Sequence, residues 1–184
     1  MFCGSSPGTR PVFAKAAGAL GAELGRRGIG LVYGGGDRGL MGAVARAAAA
    51  AGSAVTGVTV GEVASREGAA ATPEIGELLV APSLSERKRI MAERAQAFVM
   101  LPGGFGTLDE LFEMVTWNQL RIHDKPCGIL DVDGYFGPLL DLVARAVAEG
   151  FIRADHAGAL AVAATPSALI DELARRSGPP ATAG

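Results

Sequence analysis

The sequence predicts an α/β fold: a single domain built on a doubly wound parallel sheet with helices on both faces. Three observations predict it. Short aliphatic runs alternate with helical patterns along the chain. Two of those runs lead directly into glycine-rich turns that open helices. The composition, 49% hydrophobic but only 5% aromatic over 184 residues, supplies the Val, Leu and Ala that strands buried on both faces require. A chain of this length buries a sizeable core as one domain, 1–176, with 177–184 as a frayed tail.

In chain order, Phe2-Cys3 reads as the tail of a strand, followed by the turn Gly4-Ser5-Ser6-Pro7-Gly8 and a helix from about Pro11 to Arg27. That strand is very short, so either the sheet opens with a stub or the chain start has been placed late. Ser5 and Ser6 either cap the helix or face a ligand. Ile29 to Tyr33 is a second strand. It runs into Gly34-Gly35-Gly36-Asp37-Arg38-Gly39, a G-x-G-x-x-G with the spacing of dinucleotide-binding turns. The signal gains from the strand before it and from the Ala-rich helix after it, about Leu40 to Ala51. Ala54 to Val60 is a third strand. From Gly61 to Ser83 the pattern dissolves into Gly, Pro, Ala and Glu, with a short apolar run at Leu78-Leu79-Val80. A connection this long suits a lid or binding loop. The next helix, Leu84 to Gln96, puts Leu84, Lys88, Met91 and Ala95 on one stripe with Arg87 beside it. Two cations therefore sit at the core-facing edge of its first turn, where they either snorkel to water or serve an anion.

Ala97 to Leu101 is a buried strand, and Pro102-Gly103-Gly104-Phe105-Gly106-Thr107-Leu108-Asp109-Glu110 follows it, opening a helical pattern from Leu108 to Leu120. Strand, glycine loop and helix is the order that phosphate binding needs. Glycines let the backbone approach an oxyanion, and the first helical turn supplies unpaired N–H groups and a positive dipole end. The plainer alternative is a capping box, with Thr107 as N-cap and Glu110 at N3. Leu108, Leu111, Phe112 and Val115 form one apolar side of this helix and Met114 and Trp117 another, so it is covered twice, by a partner subunit or by another helix of the chain. Pro126 to Leu130 is a strand, Tyr135 to Glu149 a helix, Ala159 to Ala163 a last strand and Ser167 to Arg176 a last helix.

The formal net charge of -2 gives no electrostatic reason to expect nucleic acid as a partner. No apolar run approaches the ~20 residues that span a bilayer, and no signal peptide is recognised, so no membrane partner and a cytoplasmic location are expected. Cys3 and Cys127 make no disulfide framework and read as buried thiols in a reducing compartment. His123 and His156 stand apart without ligand spacing, as solvated or capping residues, so no metal is expected.

In doubly wound sheets the ligand lies beyond the carboxyl ends of the strands, where the winding reverses. If the first and fourth strands are neighbours there, Ser5 and Ser6, the Gly34-Gly35 turn and the Gly103 loop converge on one crevice. Two glycine-rich turns at one crevice suggest a phosphorylated small molecule, most simply a nucleotide. Arg87 and Lys88 can bind anionic oxygens, Arg87 bidentately. Glu110, one turn past the loop, can act as base, nucleophile or electrostatic stabiliser. A carboxylate beside a bound nucleotide suits N-glycosidic cleavage, whose transition state resembles an oxocarbenium ion. The helix N-terminus and Arg87 favour its ionised form and desolvation opposes it; the anion is expected to prevail.

These segments together resemble the Lonely Guy family, the cytokinin riboside 5′-monophosphate phosphoribohydrolases. Pro102 to Glu110 is that family's P-G-G-x-G-T-x-x-E; Phe2 to Ser6 is similar to its F-C-G-S-S, Val32 to Gly42 to its V-Y-G-G-G-x-x-G-L-M-G, and Arg87-Lys88-x-x-Met91 to its R-K-x-x-M. Thr116-Trp117, Gln119-Leu120, Asp133-Gly134-Tyr135 and Glu149-Gly150-Phe151-Ile152 match further segments, so the likeness runs to about Ile152. It implies a Rossmann-like homodimer, or a higher oligomer, that needs no cofactor. The implied reaction hydrolyses a nucleoside 5′-monophosphate with an adenine-type base, a cytokinin riboside monophosphate or AMP, to free base and ribose 5-phosphate. The family's catalytic Arg and Glu fall on Arg87 and Glu110, and its phosphate-gripping loop on Gly103, Gly104, Phe105, Gly106 and Thr107, with Lys88 and Asp109 inside the shared motifs. Thr116 matches a substrate-contacting threonine. Glu67, in Arg66-Glu67, matches a lid-loop glutamate, although the spacer from there to Arg87 is longer in this chain.

Some relatives carry the label lysine decarboxylase. A pyridoxal enzyme needs a Schiff-base lysine with supporting groups, and of Lys15, Lys88 and Lys125 none has that setting. Two further readings stay open. A non-catalytic nucleotide or molybdenum-cofactor carrier on the same fold does not require Arg87 and Glu110 together. An NAD-dependent oxidoreductase fits less well, because the glycine fingerprint follows the second strand and only Glu62 lies near ribose distance.

Overall fold

The structure is a computed structural model that describes residues 1–61 and 75–177; Glu67 and the segment 178–184 lie outside the described residues. Its elements are α1 (Pro11–Arg26), β1 (Leu31–Tyr33), α2 (Gly39–Ala50), β2 (Val55–Val60), β3 (Glu77–Ala81), α3 (Leu84–Arg94), β4 (Phe98–Met100), α4 (Phe105–Gln119) and β5 (Cys127–Leu130). A 3₁₀ turn (Val132–Gly134), α5 (Gly137–Ala148), the short α6 (Ala154–Ala157), β6 (Leu160–Ala163) and α7 (Pro166–Ser177) complete it.

All strand pairs are parallel, in two ladders ordered β1-β2-β3 and β4-β5-β6. The amino-terminal stub joins them. Phe2 bridges Met100 in parallel register, its N–H donating to Val99 O at 2.9 Å and its carbonyl accepting from Leu101 N–H at 3.0 Å. On the other side the Met1 nitrogen donates to Val32 O at 2.6 Å. The winding reverses at this stub, which makes neighbours of the first and fourth strands read from the sequence.

The faces are covered as a parallel sheet requires. On one, α1, α2 and α7 pack over Leu20, Leu40, Val44, Leu101 and Leu169. The α1–α2 approach is close because of glycines: a Cβ on Gly21 would stand 2.3 Å from Val44 O. On the other face α3 and α4 cover Phe2, Val58, Met91, Phe98 and Met114, and α5 extends that layer over Met100, Leu111, Ile129 and Phe136. Each such buried side chain contributes roughly 1.5–3 kcal/mol of transfer free energy.

Several expectations change. β3 is a full strand where the sequence shows only a short apolar run. It is the edge of its ladder, with Glu77 and Val80 exposed, so it lacks the continuous apolar run of a strand buried on both faces. On α3 the buried residues are Met91 and Ala92, and Leu84 is exposed. α4 begins at Phe105, with Gly104 as N-cap. Thr107 therefore sits inside the first turn and Glu110 in the second, and the capping box does not form. The chain itself covers most of both apolar sides of α4, Met114 and Trp117 toward α3 and Leu108, Leu111 and Val115 toward α5, while Phe112 of the latter side stays exposed. His123 is neither solvated nor a cap; it packs against the Phe98 ring at 5.2 Å and its Nδ1 accepts from Lys125 N–H at 3.2 Å. Cys3 and Cys127 are unbridged and buried, and burial pushes the Cys127 thiol up to about 12. Among the described residues no helix is long and apolar enough to cross a membrane.

Candidate active site

A cavity of about 270 Å³ opens where the stub, β1 and β4 end. The loops after those three strands line it, together with one side chain each from α2 and α3 and the first two turns of α4. Its walls include Ser5, Gly34, Arg87, Gly104, Phe105, Gly106, Thr107 and Glu110.

The two glycine turns do different work. At α4 the first intrahelical hydrogen bond is Leu108 N–H to Gly104 O, at 3.1 Å, so the N–H groups of Phe105, Gly106 and Thr107 have no intrahelical acceptor. No side chain caps this end, and Gly104, Phe105 and Gly106 are exposed. It is an anion seat with a positive dipole end. At α2, by contrast, Leu40 N–H already donates to Gly4 O at 3.1 Å, and a Cβ on Gly39 would stand 2.3 Å from Ser5 O. That turn packs the amino-terminal loop against the helix.

Gly34 seats a guanidinium. A Cβ there would stand 2.4 Å from Arg87 Nη2. Arg87 projects from the first turn of α3, whose N-cap Ser83 accepts from Glu86 N–H at 3.1 Å. Its Nε donates to Val58 O at 2.8 Å, its Nη2 to Gly34 O at 3.4 Å and its Nη1 to Glu110 Oε1 at 3.0 Å. The Arg87 and Glu110 side chains are 12% and 11% exposed, so the pair is poorly screened by water. Burial raises the Glu110 carboxyl above its ordinary range, and the Arg87 charge opposes that rise without cancelling it. Desolvation, which the sequence reading sets against Arg87 and the helix end, is thus the larger influence on this carboxyl. A carboxyl of this kind exchanges a proton more readily near neutrality than a solvated one.

Five of the sequence candidates stand outside the cavity wall. Lys88 Nζ is 2.9 Å from Asp109 Oδ2 and 2.5 Å from Glu113 Oε2, so Lys88 and Asp109 strap α3 to α4. Burial works against the Lys88 charge, but the hydrogen bonds to Glu113 and Asp109 together raise its pKa. Gly35 packs beneath β3, where a Cβ would stand 2.9 Å from Leu78 Cδ1. Gly103 lies against Thr107, and Thr116 is exposed two turns beyond Glu110. The wall also includes Phe2, Cys3, Gly4 and Met41, which the residue-by-residue reading passed over. All four lie within the opening and G-L-M-G motifs, so motif membership was the available signal.

A model of a family described as possible lysine decarboxylases matches residues 41–173. A probable cytokinin riboside 5′-monophosphate phosphoribohydrolase of Oryza sativa subsp. japonica is 47% identical over 173 residues, covering 94% of this chain and 77% of that protein. Two cytokinin riboside 5′-monophosphate phosphoribohydrolases of Arabidopsis thaliana are also similar. One is 45% identical over 173 residues, covering 94% of this chain and 80% of its own. The other is 50% identical over 152 residues, covering 83% and 69%. Among solved structures, a molybdenum cofactor binding protein of the phototrophic bacterium Rippkaea orientalis matches with a TM-score of 0.69 at 21% identity, covering 94% of this chain and 93% of that one. A molybdenum cofactor carrier protein of Chlamydomonas reinhardtii matches at 0.69 and 20% identity, covering 94% and 92%. At such identities the likeness establishes the fold alone.

The lysine decarboxylase description does not suit these residues. A pyridoxal cofactor needs a lysine amine for its Schiff base. Lys88 is held by two carboxylates, Lys125 Nζ donates to Ala92 O at 2.7 Å, and Lys15 is exposed on α1; none lines the cavity.

Proposed function

The chain belongs to the family that unites the matched possible lysine decarboxylase model with the cytokinin riboside 5′-monophosphate phosphoribohydrolases, and from that membership we propose the same hydrolysis for it. It cleaves the N-glycosidic bond of cytokinin riboside 5′-monophosphates, and of AMP, to free base and ribose 5-phosphate. The observation that carries this reading is the Arg87–Glu110 pair, 3.0 Å apart, in the cavity that also holds the unpaired N–H groups of α4.

The 5′-phosphate rests on the N–H groups of Phe105, Gly106 and Thr107. Glu110 lies three residues further along the same helix, roughly 4.5 Å of rise, so its carboxylate meets the sugar and not the phosphate. As the C1′–N bond breaks, its electron pair leaves with the base, which takes up a proton. Positive charge spreads over C1′ and the ring oxygen, and the Glu110 carboxylate stabilises it. A water oxygen bonds to C1′ and gives its proton to that carboxylate, which passes it on to the departing base, so that one water is divided between ribose 5-phosphate and base. Arg87, itself anchored on the backbone carbonyls of Val58 and Gly34, holds the carboxylate in place. Water is the only co-reactant that this step uses.

The enzyme works as a homodimer, for which the exposed Phe112, Leu120 and Ile122 provide apolar surface. The two unbridged buried cysteines favour a reducing, cytoplasmic location.

Chromatography of AMP and of isopentenyl-adenosine monophosphate incubated with the protein tests the reading. Adenine or isopentenyladenine appears together with ribose 5-phosphate. Arg87→Ala and Glu110→Gln each lower release by about 10²–10⁴-fold while circular dichroism stays unchanged. Intact nucleotide at high enzyme concentration rejects hydrolysis and favours a carrier, the role named for the structures that share this fold.

A further inference from the structure

The segment Asp133-Gly134-Tyr135 lies outside the cavity wall, yet it reaches the glycine loop. Asp133 and Gly134 both adopt left-handed backbone conformations, at φ 56° and 71°, which for Asp133 is a strained choice. Those two residues turn the chain so that the Tyr135 hydroxyl donates to Gly103 O at 2.7 Å. The ring is braced on two sides, edge to face with Phe13 at 5.7 Å and with Phe136 at 4.9 Å. Arg10 in turn pairs with Asp133 and lies over the Phe13 ring at 5.6 Å. Arg10 and Phe13 from one end of the chain and Asp133 to Phe136 from the other thus brace the one hydroxyl that meets this carbonyl.

That carbonyl matters because of the group on its far side. Among the described residues no peptide bond is cis, so the Gly103 carbonyl and the Gly104 N–H point in opposite directions across one plane. A peptide between two glycines flips more easily than any other, since neither residue has a Cβ to oppose it. In the flipped form the Gly103 oxygen replaces the Gly104 N–H at the anion seat and repels a phosphate. The geometry points to Tyr135 as a positioning residue that holds this peptide, through its hydroxyl, in the orientation that offers the Gly104 N–H to a bound phosphate.

This deepens the proposed function, resting on it only in taking the glycine loop as the phosphate seat. The test is Tyr135→Phe, which removes one oxygen from a partly exposed ring and keeps both aromatic contacts. Isothermal calorimetry with AMP, ribose 5-phosphate and adenosine reads the effect without requiring turnover. Affinity for AMP and for ribose 5-phosphate falls about fivefold to tenfold, the range of one lost hydrogen bond. Affinity for adenosine, which lacks phosphate, is unchanged, as is the melting temperature. In turnover assays KM for AMP rises by the same factor and kcat stays within about twofold. Arg10→Met, which removes the brace and leaves the hydroxyl, gives a smaller loss with the same dependence on phosphate. Equal loss for adenosine and AMP makes Tyr135 a general scaffold residue and overturns the inference, as does unchanged affinity for all three ligands. If AMP binds but is never hydrolysed, hydrolysis fails while the phosphate-dependent loss still decides the role of Tyr135.

Discussion

Glu110 and Arg87 meet in a place where water screens neither, and the consequences for pH follow from the sign of one shift. Burial raises the Glu110 carboxyl above the ordinary value of 4.5. If the carboxylate is the working form, kcat/KM falls on acidification through a midpoint above the usual carboxylate range, because kcat/KM reports the free enzyme. Stability runs the other way. A group whose folded pKa is raised contributes stability that is present below its unfolded pKa and is lost as pH rises through the folded one. Glu110→Gln carries no such charge, so its melting temperature gains on that of the parent protein as pH rises from about 4 to 8. Melting curves across that interval check this; a difference that stays constant or shrinks with rising pH rejects it. Both residues were legible from motif and spacing, because an Arg–Lys pair at a core-facing edge and a Glu just past a glycine loop are odd unless they are used. The role of Lys88 was not legible. A stripe drawn on one helix cannot show that acids on another, Asp109 and Glu113, will meet it.

The contact between α3 and α4 is where that omission has its effect. The Lys88 strap runs beside the Arg87–Glu110 pair and joins the same two helices. Lys88→Met keeps the apolar stem and removes the charge. It costs about 1–2 kcal/mol, less than a fully buried pair because Asp109 is largely exposed. At about 2–4 °C per kcal/mol for a chain of this size, differential scanning calorimetry shows a drop of several degrees. Turnover falls severalfold as well, since a small misplacement of the carboxylate weakens catalysis. A lowered melting temperature with unaltered turnover would show that the strap is structural only. Element ends were the least legible part of the chain. The start of α4 was misjudged by three residues because Thr107 and Glu110 imitate a cap and its partner, whereas Gly104, which has no side chain, makes the actual boundary. β3 was missed because an edge strand with one wet side carries little apolar signal.

At the scale of the molecule, the alternation of aliphatic runs and helices was enough to read the parallel sheet and the crevice at its reversal point, since both follow from chain connectivity. What covers the outside of α4 was not readable in that way, because association leaves no periodic mark. Phe112, Leu120 and Ile122 remain exposed on and just after that helix. If a second copy covers them, sedimentation reports twice the chain mass for the parent protein, and Phe112→Glu shifts it toward the monomer. A parent protein that sediments as a monomer at micromolar concentration removes the dimer from the proposal.

The stub at the centre of the sheet has a consequence for the chemistry. Arg87 reaches the cavity from the ladder of β1, β2 and β3, and Glu110 from the ladder of β4, β5 and β6. The Arg87–Glu110 pair, to which we assign the bond breaking, is therefore split across the line where two half-sheets are stitched by a few residues, with the Phe2 and Phe98 rings stacked at 5.9 Å beside it. Of the two rings only Phe2 reaches the cavity wall, so a substitution at Phe98 changes the grip of one half on the other without touching that wall, and temperature adaptation has a natural place to act there.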